Sequence, residues 1–430
     1  MTKRVGRSPR RFVSAQKGRG AVFNLRLPPR GRDQPPWRRS RTSASRGSSS
    51  GAHGRRTVAI VTPYYPPKIG GVEQYTARLA AAVAADPGLR AVVITTHLDG
   101  GLRTRVTTED GVRVVRLGAW LKLSNTPLSP LWPLQLRYWL RRTGADVVNA
   151  HAPVPGLGDL AIVMAGRRPT VLTYHAGSMR KGGPGSGTAD RLIGLYEKAL
   201  LPRVFARARR LVAVSPVSLA EGRPHAVRIT PGVDTDRFTP GEPSSRRART
   251  IVYVGRMDRS SAWKGVDVLV RAFARLAGDV PDGRLRLVGD GDALPGLRDL
   301  ADELGVADRL ETPGALSGAA LTDAVRTAAV LALPSLTEAE SFGMALVEGM
   351  ACATPVVGSA VGGIPHVVAD GETGLLVPPG DPDALAAACT RLLADGDLAD
   401  RMGKAGRQVA EERYAWPLLT ARYLDLFRTL

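Results

Sequence analysis

Residues 235–255, "TDRFTPGEPSSRRARTIVYVG", hold the break and the restart that decide how this chain is organised. Residues 235–250 are polar, basic and proline-bearing, the composition of a linker. "TIVYVG" then opens a fresh apolar run. Upstream, from Thr57 on, short apolar runs alternate with helical patterns: "TVAIVT", "AVVITTH", "VRVVRL", "DVVNAH", "TVLTYH" and "RLVAVS". Downstream the alternation resumes with "LRLVGDG", "AVLALPS", "PVVGS" and "GLLVPP". Near-continuous apolar strands separated by helices predict parallel sheets covered on both faces. The reading is therefore α/β, with two domains in series around a cleft, one over residues 57–238 and one over 247–416. Ligands of open α/β sheets sit beyond the carboxyl ends of the strands, so those ends are where chemistry is sought.

The chain has 430 residues, enough for two cores, and a formal net charge of +21. That charge first suggests nucleic acid. Its distribution argues against nucleic acid as a partner. Sixteen Lys/Arg stand against Asp33 alone in residues 1–56, giving +15, and only +6 is left for the rest. The basic segment is rich in Arg, Ser, Gly and Pro and reads as a disordered tail. "SPRRFVS" faintly resembles a twin-arginine export signal, but no apolar segment follows it. Three readings of the tail stand: a start placed too early in untranslated codons, which is preferred, a tether to anionic lipid, or a nucleic-acid arm. Two cysteines, Cys352 and Cys389, without metal-ligand spacing suit a reduced, cytoplasmic setting. No apolar run approaches the roughly 18 residues of a membrane span. "LSPLWPLQLRYWLRR" (128–142) fits a partly buried helix better than a membrane-surface helix, though contact with a membrane surface stays open.

Five strand ends carry candidate residues. In "TPYYPPKIGGVEQYTARLAAAV", Gly70 and Gly71 precede a helix whose Val72, Tyr75, Leu79 and Val83 share a face. Glycines here either let backbone amides approach an anion or make a tight turn. "DVVNAHAP" and "TVLTYHAG" end two strands with His151 and His175. One such histidine is more often structural, but two at neighbouring strand ends point to a cleft role about as strongly. In "VYVGRMDRSSAWKGVDVLVRAF", Arg256 and Lys264 flank a loop, and two cations there suit a diphosphate or are plain solvated charges. In "TEAESFGMALVEGMA", Glu340 and Glu348 lie eight positions apart. Glycosidase carboxylates stand about 5–9.5 Å apart, whereas eight residues of α-helix rise about 12 Å. With Glu340 in the loop, a helix starting near Ser341, Phe342 and Gly343 would aim its amides into the cleft. Glu348, inside that helix, would accept hydrogen bonds from a sugar hydroxyl. The ordinary alternative is an acidic helix start beside an exposed glutamate.

"ESFGMALVEGMACATPVV" followed by "GGIPHVVADGETGLLVPPGD" resembles the retaining glycosyltransferases of family 4. The E-x7-E spacing, "GR…KG", "LVGDGD", "PGVDTDRF" and "GGVE" occur in that family's order, from about Thr57 to the end. The resemblance implies a GT-B fold: two facing Rossmann-like domains, acceptor mainly on the first, nucleoside-diphosphate sugar mainly on the second. It implies that a C-terminal helix, residues 417–430, crosses back to the first domain. It gives the donor diphosphate to Arg256 and Lys264, the ribose to Glu348 and the donor sugar to Glu340. It makes Gly71 the point where a loop approaches the donor, and His175 the cleft histidine beside the reacting sugar. No catalytic metal or bound cofactor is expected beyond the nucleotide-sugar co-substrate. A saccharide or lipid-linked acceptor in surface polysaccharide or glycolipid assembly is expected, with possible peripheral contact at the inner membrane face. This sequence departs from the family at Asn149, where a histidine is usual, at His366 for Glu, at Ala353 for Gly, and in a longer loop between Arg256 and Lys264. A nucleotide-sugar epimerase or a phosphorylase on the same architecture, and a tail-driven polyanion adaptor, are the competing readings. "RKGGPGSGTAD" (180–190) reads as a mobile acceptor-side loop or a disordered one.

Overall fold

The computed structural model describes residues 54–68, 70–97, 101–123, 126–180 and 187–430. The tail through residue 53, and residues 181–186 of the glycine-rich loop, lie outside it. Two parallel sheets organise the rest. Edge to edge, the first carries Ala226–Arg228, Arg210–Ala213, Thr170–Tyr174, Val147–Ala152, Arg56–Val61, Leu89–Thr96, Val112–Leu117 and Arg105–Glu109, and only the last pair is antiparallel. The second carries Leu310–Gly314, Arg284–Val288, Thr250–Val254, Val330–Leu333, Val356–Ser359 and Gly374–Val377, all parallel. Counted from its own first strand, the second sheet runs 3-2-1-4-5-6, the doubly wound order.

Burial explains why these runs form strands. Along Arg56–Val61, Val58 and Ile60 enter the core on one face, while Ala59 and Val61 enter the core on the other. A strand covered on both faces reads as a continuous apolar run because neither face meets water. The helix Gly71–Ala85 buries Tyr75, Leu79 and Val83 on the first of these faces. The C-terminal helix Trp416–Thr429 packs beside it through Leu419, Tyr423, Leu426 and Phe427. Burying each such Leu or Phe stabilises the packing by about 1.5–3 kcal/mol. Arg428 pairs with Asp86 at the far end of that contact, and Arg56 Nη1 donates to the Phe427 carbonyl at 2.9 Å. The crossover itself is fastened by Val233, whose N–H donates to Tyr414 O (2.7 Å) and whose carbonyl accepts from Trp416 N–H (3.1 Å).

Each sheet reverses its winding at its first strand. In the first, strands run outward from Arg56–Val61 to Leu89–Thr96 on one side and to Val147–Ala152 on the other; in the second, Thr250–Val254 lies between Arg284–Val288 and Val330–Leu333. The carboxyl ends at these switch points open a crevice. Gly71, His151, Arg256, Lys264 and Glu340 follow or end strands at these two places, and His175 follows the next strand out, Thr170–Tyr174.

Candidate active site

Lys264 ends a short 3-10 turn, Arg259–Lys264, beyond the strand Thr250–Val254. Its position is set by Gly265, which has φ +65° and lies so close to the Pro334 carbonyl that a Cβ would come within 2.2 Å of that oxygen. Only glycine reconciles that backbone with that approach. Lys264 Nζ lies 3.0 Å from Glu340 Oε2 and 4.5 Å from the centre of the Trp263 ring. The two charged side chains are 16% and 12% exposed, so water screens the pair weakly.

Glu340 leaves the loop after the strand Val330–Leu333. Ser335 Oγ donates to its Oε2 at 3.2 Å, and the Gly343 N–H donates to its Oε1 at 3.1 Å. The helix proper is Met344–Ala351, later than the start near Ser341–Gly343 expected from sequence. Gly343 sits at φ +85°, outside the helical region, and Phe342 is drawn into the core edge-on to Tyr414. The Gly343 amide, expected to aim into the cleft, is taken by Glu340 instead. Ser341 Oγ donates to the His175 carbonyl at 3.2 Å. That bond joins the second domain's loop to the first domain's strand end.

Glu348 lies in the second turn of the helix, partly buried and without a hydrogen-bond partner among the described residues. Lost hydration pushes its carboxyl up to about 7, offset in part by the charge of Arg237. Arg256 is exposed and faces Asp258 at 3.5 Å, and no hydrogen bond joins it to Lys264 or Glu340 among the described residues. A Cβ built on Gly71 would meet nothing within 4 Å. Packing inside the protein therefore does not explain the glycine there. Among the described residues, no three His, Cys, Asp or Glu stand where they could share a metal ion.

The histidines form a unit that sequence did not foretell. His151 is fully buried and its Nδ1 lies 2.8 Å from His175 Nε2. Burial lowers both imidazoles, His175 to about 3, so both rings are neutral at physiological pH. Tyr75 lies edge-on to His175, with ring centres 4.9 Å apart. The structure thus brings together Lys264, Glu340, Ser341, Gly343 and His175 through direct contacts. Among the described residues no hydrogen bond or ion pair joins Gly71, Arg256 or Glu348 to that group. Sequence missed Ser335, and it missed Gly363, whose N–H donates to the Glu340 carbonyl at 2.8 Å. The "GGIP" pair was the one available signal for Gly363, and Ser335 had none.

Comparison with known proteins agrees with this architecture. Residues 69–237 match the model of Glycosyltransferase Family 4, and residues 234–409 match that of Glycosyl transferases group 1. A GDP-mannose-dependent alpha-(1-6)-phosphatidylinositol monomannoside mannosyltransferase from Mycolicibacterium smegmatis is 31% identical over 86% of this chain and 97% of its own. A D-inositol 3-phosphate glycosyltransferase from Saccharomonospora viridis is 32% identical over 76% of this chain and 83% of its own. Among solved structures, a sucrose-phosphate synthase from Thermosynechococcus elongatus superposes with a TM-score of 0.71 at 26% identity, covering 87% of this chain and 99% of that one. With two doubly wound domains meeting at their switch points and both halves matched in order, the chain belongs to the group 1, family 4 glycosyltransferases and is a GT-B hexosyltransferase.

Proposed function

We propose that this enzyme transfers mannose from GDP-mannose, with retention at the anomeric carbon, to an inositol phosphate carried on lipid or free. The Lys264–Glu340 pair, held across the cleft from His175 by the Ser341 bond, is the observation that carries this reading. The names of the relatives support the donor and the inositol acceptor. As the anomeric bond breaks through an oxocarbenium-like state, negative charge grows on the diphosphate. Lys264 and Arg256 stabilise that charge together with the backbone amides of Ser341 and Phe342, the Gly343 amide being held by Glu340. No resident metal or cofactor is part of the proposal. Glu340 orients the donor sugar, Glu348 holds the ribose, and Gly71 gives the donor room at the first domain. Fixed donors of this kind aimed at developing charge commonly account for the largest share of such catalysis.

A lipid-borne acceptor is supported by the helix Trp132–Arg142. Leu134 and Tyr138 stand 70% and 56% exposed on it, beside Arg137 and Arg141. Apolar side chains flanked by cations suit an anionic headgroup layer. Among the described residues no helix is long and apolar enough to cross a membrane, so the contact proposed is peripheral, at the inner face. The experiment offers GDP-mannose with phosphatidylinositol vesicles or with soluble inositol 3-phosphate. Mannose transfer to either acceptor is expected, and transfer to neither overturns the assignment.

Glu348 gives this reading a pH signature. Its carboxyl is raised from 4.5 to about 7, so the protein holds it protonated at pH 6. That contribution to stability is present below 4.5 and is lost as pH rises through about 7. Ribose hydroxyls donate more strongly to the ionised form, which accepts at both oxygens, than to the protonated one. Nucleotide affinity therefore rises with pH, by at most about tenfold per unit, up to about 7 and then levels. Calorimetry across that range should show the rise in the native protein and a flat profile in Glu348→Gln. The same profile in both proteins would remove the ribose role.

A further inference from the structure

Asn149, where the family usually has a histidine, lies fully buried in the strand Val147–Ala152. Its Nδ2 donates to the Val171 carbonyl at 3.3 Å and to Thr173 Oγ1 at 3.1 Å. A carbonyl can only accept, so the amide cannot turn over, and its Oδ1 must face His151. Oδ1 lies 2.9 Å from His151 Nε2 and can only accept, so that nitrogen carries the proton. His151 is neutral in its buried site, which leaves its Nδ1 bare. His175 Nε2, 2.8 Å away, must then be the donor of the bond between the rings. A neutral His175 that is protonated at Nε2 has a bare Nδ1. That atom has no hydrogen-bond partner among the described residues, and the residue is partly exposed at the strand end joined to Ser341.

We infer that Asn149 is a positioning residue: acting through His151, it fixes His175 in the tautomer whose free Nδ1 accepts a hydrogen bond from a substrate hydroxyl and cannot donate one to a phosphate. The anchor extends beyond the strands. Thr173 Oγ1 lies 3.0 Å from the Tyr423 hydroxyl, which accepts from Tyr75 OH at 2.8 Å. The C-terminal helix thereby holds the Thr173 side of the amide in place. The inference rests on reading His175 as substrate-facing, but its first test needs no substrate.

The test labels the six histidines of the full chain with nitrogen-15 and reads their tautomers from two-bond proton–nitrogen correlations, with His175→Ala used to assign the signal. The native protein should show His151 and His175 both protonated at Nε2. Native His175 protonated at Nδ1 overturns the inference, and so does a mixture of tautomers. Asn149→Asp places a carboxylate beside His151 Nε2, which favours the doubly protonated ring. That ring donates from Nδ1 to His175 Nε2 and drives the His175 proton to Nδ1. Mannose transfer should then fall about tenfold or more through kcat, with nucleotide affinity unchanged. A reversed tautomer with undiminished kcat overturns the role given to Nδ1. If Asn149→Asp does not fold, the native spectrum alone decides the tautomer. A correct spectrum in a protein that transfers no sugar would refute the function proposed above and leave the tautomer assignment standing.

Discussion

Replacing Lys264 with alanine lowers sugar transfer by about 10²–10³ while the far-ultraviolet circular dichroism stays native. The ammonium is a fixed donor where the diphosphate must gather charge, and no other described cation lies in hydrogen-bond contact with Glu340. Removing it also strands Glu340, and breaking a buried pair from one side costs about 3–5 kcal/mol in general. The cost here falls at or below that range, because Ser335 and the Gly343 amide still hold the carboxylate. The melting temperature therefore drops without loss of fold. The double variant Lys264→Ala/Glu340→Gln separates the two effects. It removes the stranded charge and recovers stability, yet remains as inactive as Lys264→Ala. Near-native turnover in Lys264→Ala would remove the diphosphate role.

Glu340→Gln is expected to lower kcat by about 10² while nucleotide affinity stays within about threefold of native or improves. The carbonyl of glutamine still accepts from Gly343, and its amide still meets Ser335, so the loop keeps its shape. What disappears is the negative charge facing Lys264, whose ammonium cannot donate to the amide nitrogen that takes the place of Oε2. The freed ammonium then faces the diphosphate undivided, which favours the nucleotide in the ground state. Orientation of the sugar by the carboxylate is lost, and that is a transition-state effect. A parallel loss of kcat and nucleotide affinity would mean that Glu340 only organises the loop. The structure sharpens the choice, because both carboxylate oxygens already have partners within the protein.

The fold was legible where physics repeats in sequence. Strands covered on both faces declared themselves as apolar runs, and the basic, proline-bearing break marked the change of sheet. Of the edge strands of the two parallel sheets only Gly374–Val377 did so. Arg105–Glu109 is largely exposed, and Leu310–Gly314 is at most half-buried, so neither carries an apolar run. Strand order was legible only through family resemblance, since pairing depends on crossovers that leave no local mark. The departure at Ala353 has a visible consequence. Its φ is +50°, a left-handed conformation that the usual glycine adopts without strain.

The candidate site divides in the same way. Lys264 and Glu340 were found by motif, but their contact spans 76 residues of chain and no spacing rule reaches that far. Asn149 looked like a defect in a histidine pattern. In the fold it is the residue whose two-sided amide can hold a tautomer. Tyr423 reaches Thr173 from 250 residues away because the C-terminal helix recrosses to the first sheet. Polar networks of this kind are specified by tertiary packing, and the sequence names their members without showing that they meet.

The most direct measurement is the anomeric configuration of the product formed by the full chain from GDP-mannose labelled with carbon-13 at the anomeric carbon, with phosphatidylinositol vesicles or inositol 3-phosphate as acceptor. The one-bond carbon–hydrogen coupling of that carbon distinguishes the two anomers. An α-linked mannoside, matching the α-configured donor, is predicted. A β-linked product would contradict retention, and release of free mannose or no turnover would contradict transfer itself.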